Sequence, residues 1–241
     1  MKKTISLFLA LMMALSLMVI SAGAADVPFN DIGDLSPNTQ DNISYLYEQG
    51  VMNGTSEDTF SPDGYYTRAM FVTMLGRTAG IDPADYPGSP FKDVSAGNWA
   101  APYIKWASEN DIVNGVGNGN FNPNGIITLE QYCTIICRFM ASVEASFECE
   151  STGDWPPLVY DLDDASSYAR ENVQYMVENN MTDFYRYDET DTAGVYVEPK
   201  HEMNREEIAV VFGDFHYVLT QNASVDWDFG YAQVSTWITF G

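Results

Sequence analysis

The spacing of apolar residues predicts short helices in pairs, each pair joined by a turn-rich loop. The stretches 42–54 and 67–77 carry apolar residues at the three- and four-residue intervals of a helix face. Between them lie an Asn-Gly pair, which favours a left-handed turn, and a Phe-x-Pro motif, whose proline prevents a helix from continuing. The apolar positions are Ile43, Leu46 and Tyr47 in the first helix and Phe71, Met74 and Leu75 in the second.

This helix–loop–helix unit occurs again further along the chain. The stretch NISYLYEQGVMNG (42–54) returns as YIKWASENDIVNG (103–115), and FSPDGYYTRAMFVTMLGR (60–77) returns as FNPNGIITLEQYCTIICR (121–138), at a constant offset of 61. A unit of about 60 residues with two short helices is marginal alone, so we expect the copies to share a core.

A third and weaker copy follows. YARENVQYMVENNMTD (168–183) matches the first helix of copy two at an offset of 69, and EPKHEMNREEIAVVFGDF (198–215) matches its second helix at an offset of 76. The difference places an insertion near 184–196. We therefore predict a mainly α fold built from three repeats.

The first 24 residues have the features of a secretory signal peptide. Lys2 and Lys3 precede an apolar stretch, and small residues stand at Ala22 and Ala24. A membrane anchor is the alternative, but the small residues favour cleavage after Ala24. No later run reaches the roughly 20 apolar residues of a membrane-spanning helix. We therefore expect a secreted chain.

The predicted domains are a signal peptide at 1–24, repeats at 25–86, 87–148 and 149–220, and a tail at 221–241. In the tail, alternating apolar and polar residues predict a strand, with a glycine in or near a turn. The residues concerned are Val225, Trp227, Phe229, Gly230 and Tyr231. We expect this short, possibly β, tail to cover the repeat core or to dock a partner protein.

The charge of the chain narrows its partners. It holds 34 Asp and Glu against 11 Lys and Arg, a net charge of −23, which becomes about −25 without the two signal-peptide lysines. This charge excludes nucleic acid and disfavours anionic membranes, so no membrane partner is expected after cleavage. Any anionic ligand has to be bound by local positive groups.

Arg68 occupies a position where a helix favours an acid. Thr67 has the pattern of an N-cap, so Arg68 is the first helical residue, at the positive end of the helix dipole. The amide groups of a first turn form an anion site, and a guanidinium adds a planar fork suited to a carboxylate. Arg205 repeats the arrangement after Asn204. The alternative is an exposed arginine paired with a nearby acid.

Copy two departs from this pattern, since Leu129 and Glu130 follow its cap. An acid there would repel a carboxylate, so we expect this site to be dead or altered. A capping box, in which the cap residue and the third helical residue bond each other's backbone, is predicted in copies two and three. Its members are Thr128 with Gln131 and Asn204 with Glu207, and Met70 breaks it in copy one.

Together these motifs resemble the S-layer homology family, across roughly 29–215. In that family the pattern is F-x-D-V, a helix, G-hydrophobic-x-G, F-x-P and I-T-R-A-E. The matches in copy one are Phe29-Asn30-Asp31-Ile32, Gly50-Val51-Met52-Asn53-Gly54, Phe60-Ser61-Pro62 and Tyr66-Thr67-Arg68-Ala69-Met70. Copy two matches at Phe91-Lys92-Asp93-Val94, Ile112-Val113-Asn114-Gly115, Phe121-Asn122-Pro123 and Ile127-Thr128-Leu129-Glu130-Gln131. Copy three matches at Asp161-Leu162 and Met203-Asn204-Arg205-Glu206-Glu207.

The resemblance implies a pseudo-threefold trimer of repeats within one chain. It also implies non-covalent attachment to secondary cell-wall polysaccharide, typically carrying a pyruvylated sugar, at the cell surface of a bacterium. The basic residue of the T-R-A-E motif is a ligand contact in the family, and grooves between repeats add an acid, an aromatic and loop glycines.

Further candidates for ligand binding follow from residue type. Aromatic rings stack on sugars, carboxylates bond sugar hydroxyls, and glycines let a ligand approach the backbone. Each type has a structural alternative: packing, capping of the turn into the first helix, and turn geometry. The candidates are Trp99, Tyr168, Asp31, Asp93, Asp161, Gly54 and Gly115, with Asn38 at the position equivalent to Trp99 and Tyr168.

Two rival functions are weaker. An enzyme would need a constellation of catalytic groups, and neither the acidic pairs nor His201 and His216 provide one. A calcium-stabilised scaffold or protein-interaction module is suggested by DLDD (161–164) and DETD (188–191), which lack EF-hand spacing. We therefore expect neither catalysis nor a cofactor.

The chain holds three cysteines, at Cys133, Cys137 and Cys149. The first two stand four residues apart on a predicted helix and align with small or apolar residues of the other copies, so we expect them to be core thiols. Cys149 is free or paired. No histidine lies near them, which makes a zinc site a poor interpretation.

Overall fold

The computed structural model describes residues 27–143, 145–149, 158–179, 181–182, 186–187, 194–221, 225–228 and 233–240. The predicted signal peptide lies outside them. Within the described ranges, no helix has both the length and the apolar character needed to cross a membrane.

The helices follow the predicted pairs. Copy one provides α1 (Pro37–Glu48) and α2 (Arg68–Thr78), copy two provides α3 (Ala101–Glu109) and α4 (Leu129–Ser142), and copy three provides α5 (Arg170–Glu178) and α6 (Arg205–Gln221). Two short 3₁₀ helices lie at Pro83–Asp85 and Leu162–Asp164. The prediction of a mainly α fold is confirmed.

The strands form two small sheets. In one, β1 (Ala145–Cys149) pairs antiparallel with β6 (Gln233–Phe240), which pairs antiparallel with β5 (Val225–Asp228). In the other, β2 (Leu158–Val159) runs parallel to β4 (Gly194–Tyr196), and β3 (Arg186–Tyr187) runs antiparallel to it. The β5 strand confirms part of the predicted tail strand, whereas Phe229, Gly230 and Tyr231 lie outside the described residues.

The chain divides into two compact units that cut across the predicted repeats. One unit comprises residues up to Ile127 together with Met203–Thr220, and the other comprises Thr128–Glu202 together with Gln221–Gly241. The first unit therefore contains α1, α2, α3 and nearly all of α6. The second contains α4, α5 and both sheets. The repeat boundaries stay a sequence-based prediction.

Equivalent residues of the three copies meet in the first unit. The amide of Tyr66 donates to the carbonyl of Met203 (3.0 Å), Met203 donates to Ile127 (2.9 Å), and Ile127 donates to Tyr66 (2.9 Å). All three side chains are buried. Each copy thus gives one hydrogen bond and receives one, so the residues just before the second helices form a local threefold arrangement.

The second helix of each copy packs a small side chain against the first helix of another copy. A Cβ at Gly76 would lie 2.4 Å from Tyr103, and one at Gly213 would lie 2.3 Å from Asn42. At the equivalent position of α4, the Cys137 thiol points to the carbonyl of Asn172. These contacts confirm that the aligned residues are packing positions.

The thiols on α4 behave as core groups. Cys133 is fully buried, Cys137 is partly buried, and neither forms a disulfide. Burial raises the pKa of Cys137 to about 12, so this thiol remains protonated at neutral pH. The side chain of Cys149 lies outside the described residues.

Candidate functional site

The Arg68 site consists of Arg68, Asp93, Asn114 and Phe121. The Arg68 side chain is only 5% exposed. Its Nε donates to the carbonyl of Phe121 at 3.1 Å, and its Nη2 lies 3.4 Å from the carbonyl of Asn114. The guanidinium carbon is 4.6 Å from the centre of the Phe121 ring. Arg68 therefore joins the start of α2 to the loop of copy two.

The Arg205 site consists of Arg205, Asp31, Asn53 and Phe60, and repeats this geometry. Arg205 is likewise 5% exposed. Its Nε donates to the carbonyl of Phe60 at 2.7 Å, its Nη2 donates to that of Asn53 at 2.6 Å, and its guanidinium carbon is 4.5 Å from the Phe60 ring. Burial lowers the pKa of Arg205, and Tyr66 and Asp31 counteract part of that effect.

These contacts explain why arginine is the first residue of α2 and of α6. The unfavourable interaction with the helix dipole is worth only a few tenths to about 1 kcal/mol. Against it stand two charge-assisted hydrogen bonds to loop carbonyls, each worth about 1.5–3 kcal/mol when made to a charged group, and a cation–π contact. The sequence-based alternative of an exposed arginine paired with an acid is wrong.

In every copy, an aspartate carboxylate accepts two hydrogen bonds from the backbone of the equivalent loop. Asp31 accepts from the amides of Phe60 (2.8 Å) and Ser61 (2.7 Å). Asp93 and Asp161 do the same for the loops of their own copies. Their donors are Phe121 and Asn122 at 2.8 and 2.7 Å, and Val197 and Glu198 at 2.9 and 2.7 Å. These acids therefore hold the Phe-x-Pro loop, rather than the turn into the first helix.

The carboxylate of Asp93 and the guanidinium of Arg68 bind the backbone of the same loop residue. The amide of Phe121 donates to Asp93 while its carbonyl accepts from Arg68. Burial raises the pKa of Asp93, but the two loop amides and the charge of Arg68 outweigh burial and hold the pKa below its ordinary value. The carboxylate thus stays ionised and fixes the loop that receives the guanidinium.

The amides of the helix starts are not bare, contrary to the prediction from sequence. The amides of Arg68 and Ala69 donate to the carbonyls of Gly125 (2.9 Å) and Pro123 (3.1 Å). The first two helical amides of α6 and of α4 donate in the same way to loop carbonyls. Those pairs are Arg205 to Gly64, Glu206 to Pro62, Leu129 to His201 and Glu130 to Pro199. The helix amides are therefore used in joining repeats, and they do not form an anion site.

The predicted caps are confirmed in two copies. Thr67 Oγ1 accepts from the amide of Met70 at 3.2 Å. Asn204 and Glu207 form the complete capping box, with both bonds at 2.8 Å. Thr128 is the N-cap residue of α4, but the predicted side-chain bond is wrong, since its hydroxyl accepts no cap hydrogen bond and is buried without a partner among the described residues.

The Glu130 site consists of Leu129, Glu130, Ser166, Tyr168 and Lys200, with Val197 at the loop position of Phe60 and Phe121. In this site Leu129 takes the position of the arginine, and the loss of anion binding stays a prediction. The site lacks the aromatic ring as well, and Val197 is fully packed. The guanidinium and the ring beneath it are therefore absent together.

Glu130 is held by donors from copy three. Its carboxylate accepts from the amide of Ser166 (2.8 Å), the hydroxyls of Ser166 (3.0 Å) and Tyr168 (3.2 Å), and Nζ of Lys200 (2.6 Å). Burial raises the pKa of Glu130, but Lys200 and Ser166 outweigh burial and keep the pKa below its ordinary value. Glu130 is therefore a buried, ionised carboxylate.

The aromatic candidates are more exposed than packing residues would be. Trp99 is 58% exposed and Tyr168 is 52% exposed. Tyr168 contacts Glu130 at the start of α4, and Trp99 occupies the equivalent position in the sequence of copy two. Tyr65, which the sequence reasoning missed, is 58% exposed and bridges to Asn204 at the start of α6.

The candidate glycines are required for packing. A Cβ at Gly54 would lie 2.4 Å from the Phe29 ring, and one at Gly115 would lie 2.9 Å from the Phe91 ring. Each glycine follows the asparagine whose carbonyl accepts from an arginine. The two glycines therefore hold the loop in the position from which it reaches the guanidinium.

Sequence reasoning missed the two phenylalanines under the guanidinium groups and missed Lys200. The phenylalanines are part of the Phe-x-Pro motif, so their recurrence with arginine in the neighbouring copy was an available signal. Nothing in the spacing of Lys200 points to Glu130, since 70 residues separate them.

Comparison with known proteins identifies the kind of domain. Residues 28–69 and 90–133 match the family model described as the S-layer homology domain. Two segments of the chain therefore match the S-layer homology domain. They cover copies one and two up to the start of each second helix.

The relatives are longer proteins of the bacterial surface and glycan-degrading enzymes. The chain is 35% identical over 224 residues to an endoglucanase of Bacillus sp. (strain KSM-635), covering 87% of this chain and 22% of the relative. It is 30% identical over 159 residues to a cell surface protein of Thermoanaerobacter kivui, covering 64% and 20%. It is 26% identical over 160 residues to a surface layer protein of Brevibacillus choshinensis, covering 65% and 14%. The chain thus spans about a fifth or less of the length of these relatives.

Proposed function

We propose that this protein attaches non-covalently to the bacterial cell wall by binding an anionic secondary wall polysaccharide at the Arg68 and Arg205 sites. The observation that carries the proposal is the same arginine–phenylalanine–aspartate arrangement, built twice with matching contacts around S-layer homology segments. The S-layer homology domains and the names of the relatives support wall attachment. A pyruvylated sugar, with its carboxylate, is the ligand that we propose.

The net negative charge of the chain leaves few places where an anionic ligand can bind. On a chain with a net charge of −23, a sugar carboxylate meets repulsion nearly everywhere. A guanidinium fixed by loop carbonyls and a ring costs little side-chain entropy when a ligand binds, and its low exposure strengthens the attraction. Within the described part of the chain, Nη1 of Arg205 donates no hydrogen bond, so one edge of that fork remains for a ligand.

Exposed aromatic rings supply the second half of each site. We assign Trp99 to the Arg68 site because it corresponds to Tyr168, and we assign Tyr65 to the Arg205 site because its backbone bridges to Asn204. A ring offers its face to the apolar side of a sugar while the guanidinium pairs with the carboxylate. We assign Asp31, Asp93, Gly54 and Gly115 to positioning of the loop, with the ligand contacts made by the arginines and these rings.

We infer that the chain acts by binding rather than by catalysis, and that it is secreted and held at the cell surface. The endoglucanase match covers only 22% of that relative, so its name does not carry an activity to this chain. A surface scaffold that recruits a protein through the tail is the second candidate, suggested by the strand order β1-β6-β5, in which β5 of the tail is an edge strand.

The test is co-sedimentation with purified cell walls, before and after removal of wall polysaccharide. We expect retention only on untreated walls, reduced at least tenfold by Arg68→Gln with Arg205→Gln, and reduced less by each single change. The matched control is Leu129→Gln, the same replacement at the equivalent position of copy two. Equal retention on stripped walls, or full retention by a folded double variant, would overturn the proposal.

A further inference from the structure

The Glu130 site gathers four hydrogen-bond donors around one carboxylate. The donors are the amide and hydroxyl of Ser166, the phenolic hydroxyl of Tyr168 and Nζ of Lys200, at 2.6–3.2 Å. Lys200 Nζ also donates to the Ser166 hydroxyl at 2.6 Å, so these two donor groups are directly connected. This is the donor set of a carboxylate receptor, because a carboxylate accepts about four hydrogen bonds.

The carboxylate that fills this receptor belongs to the chain itself. The Glu130 side chain is 5% exposed, whereas the Lys200 side chain is 54% exposed and Tyr168 is 52% exposed. The buried member of the cluster is thus the acid, and its donors line the surface above it. Solvent can reach the donors from the side opposite Glu130.

The other two helix starts are built differently at the corresponding residues. The Arg68 site has Ala69, Gly97 and Asn124 where the Glu130 site has Glu130, Ser166 and Lys200. The Arg205 site has Glu206, Ser36 and Asp63. Glu206 makes no side-chain hydrogen bond within the described residues, and Ser36 caps α1 by accepting from Thr39. The filled receptor is therefore particular to copy two and copy three.

We propose that the Glu130 site is a carboxylate-binding site occupied by the chain's own Glu130, and that removing this side chain creates a receptor for a small carboxylate such as acetate. In the wild-type protein the site is consequently closed to an external anion. This inference rests on the contacts around Glu130; it adds to the proposed function only the statement that the start of α4 does not bind the wall.

Chemical rescue tests the inference without any wall material. Glu130→Ala removes Cγ and the carboxylate, which together have the size of acetate. We expect the variant to melt about 5 °C lower, since four hydrogen-bond donors lose their acceptor. Sodium acetate should then raise the melting temperature of Glu130→Ala by several degrees more than sodium chloride of equal ionic strength, and should leave the wild-type protein unchanged.

Two variants check that the effect comes from this site. Glu206→Ala removes the acid at the equivalent position of copy three, and its melting temperature should not respond to acetate. Adding Lys200→Met to Glu130→Ala should abolish most of the rescue, because the charged donor is gone. An acetate effect no larger than the chloride effect, or one that survives Lys200→Met unchanged, would overturn the inference.

If Glu130→Ala does not fold, the isosteric Glu130→Gln supplies the second measurement. A double-mutant cycle between Glu130→Gln and Lys200→Met should show that each change costs less in the presence of the other. Additive effects would overturn the inference. Neither readout depends on polysaccharide, so wall retention can fail while the rescue succeeds, and the reverse.

Discussion

The Arg68 site and the Glu130 site occupy corresponding places in two repeats but solve the same problem with opposite charge. At the Arg68 site, a cation at the start of α2 reaches carbonyls of the following loop and lies against a phenylalanine. At the Glu130 site, an anion at the start of α4 receives donors from Ser166 and Lys200. Both arrangements join consecutive repeats. The contact between repeats is therefore present in both, although the charge that makes it differs.

The two sites also differ in the function that we propose for them. We propose that the Arg68 site binds an anionic ligand, whereas at the Glu130 site the hydroxyl of Ser166 and Nζ of Lys200 donate to the chain's own carboxylate. A substitution that keeps the contact between two repeats need not keep the ability to bind a ligand. The substitution of Leu129 for arginine together with Val197 for phenylalanine suggests that ring and guanidinium were lost as a pair.

The largest expected effect distinguishes Phe121 of the Arg68 site from Val197, the equivalent residue of the Glu130 site. Phe121→Ala should lower the free energy of unfolding by about 3–5 kcal/mol, because it empties a fully buried position and removes the ring beneath Arg68. Val197→Ala, at the equivalent position, should cost less because fewer buried atoms are removed. Urea unfolding of both variants measures the difference; equal costs would mean that the ring adds nothing to the Arg68 site.

A pH titration compares α6 with α4. Burial lowers the pKa of His216 to about 4, so folding favours the neutral ring. The unfolded chain binds the proton near pH 6.5; stability is therefore full above that pH and falls as the pH drops towards 4, by up to about 3 kcal/mol.

His216→Met places the residue of the equivalent position in α4, Met140, into α6. This variant should lose the part of the acid sensitivity that lies between pH 6.5 and 4. Melting temperatures across that range check it. An unchanged pH profile would assign the sensitivity to other groups.

Arg68 can be replaced by leucine, the residue at the equivalent position of copy two, Leu129. Arg68→Leu should cost about 2 kcal/mol, because two loop carbonyls lose a charged donor. In the background Phe121→Val, the same change should cost less, since the ring no longer gains from a guanidinium above it. Urea unfolding of the two singles and the double gives the coupling. Strict additivity would contradict the view that ring and guanidinium form a pair.

The smallest effect concerns the caps. Thr67→Ala should cost about 1 kcal/mol, because its hydroxyl accepts from the amide of Met70. Thr128→Val should be neutral or slightly stabilising, because the hydroxyl of Thr128 is buried without a partner among the described residues. A comparable loss at both positions would show that Thr128 caps α4 in solution.

The sequence by itself determined the helices, the repeats and the chemical character of each helix start. Helical spacing is a local property, and the constant offset of 61 is enough to identify the equivalent residues of the first two copies. The presence of Arg68 and Arg205, and their replacement at Leu129, already divided the three sites into two kinds. The strand β5 was also predicted from its alternation, whereas β6, with which it pairs, and β1, which pairs with β6, were not.

Only the tertiary structure decided what those side chains contact. Whether the amides of a first helical turn have hydrogen-bond acceptors depends on which loop approaches them. That loop comes from another repeat. The pairing of Glu130 with Lys200 joins residues 70 positions apart, beyond the range of any local pattern. Hydrogen-bond partners and burial are set by distances in space, so the sequence could name the charged groups but not show that the protein itself satisfies them.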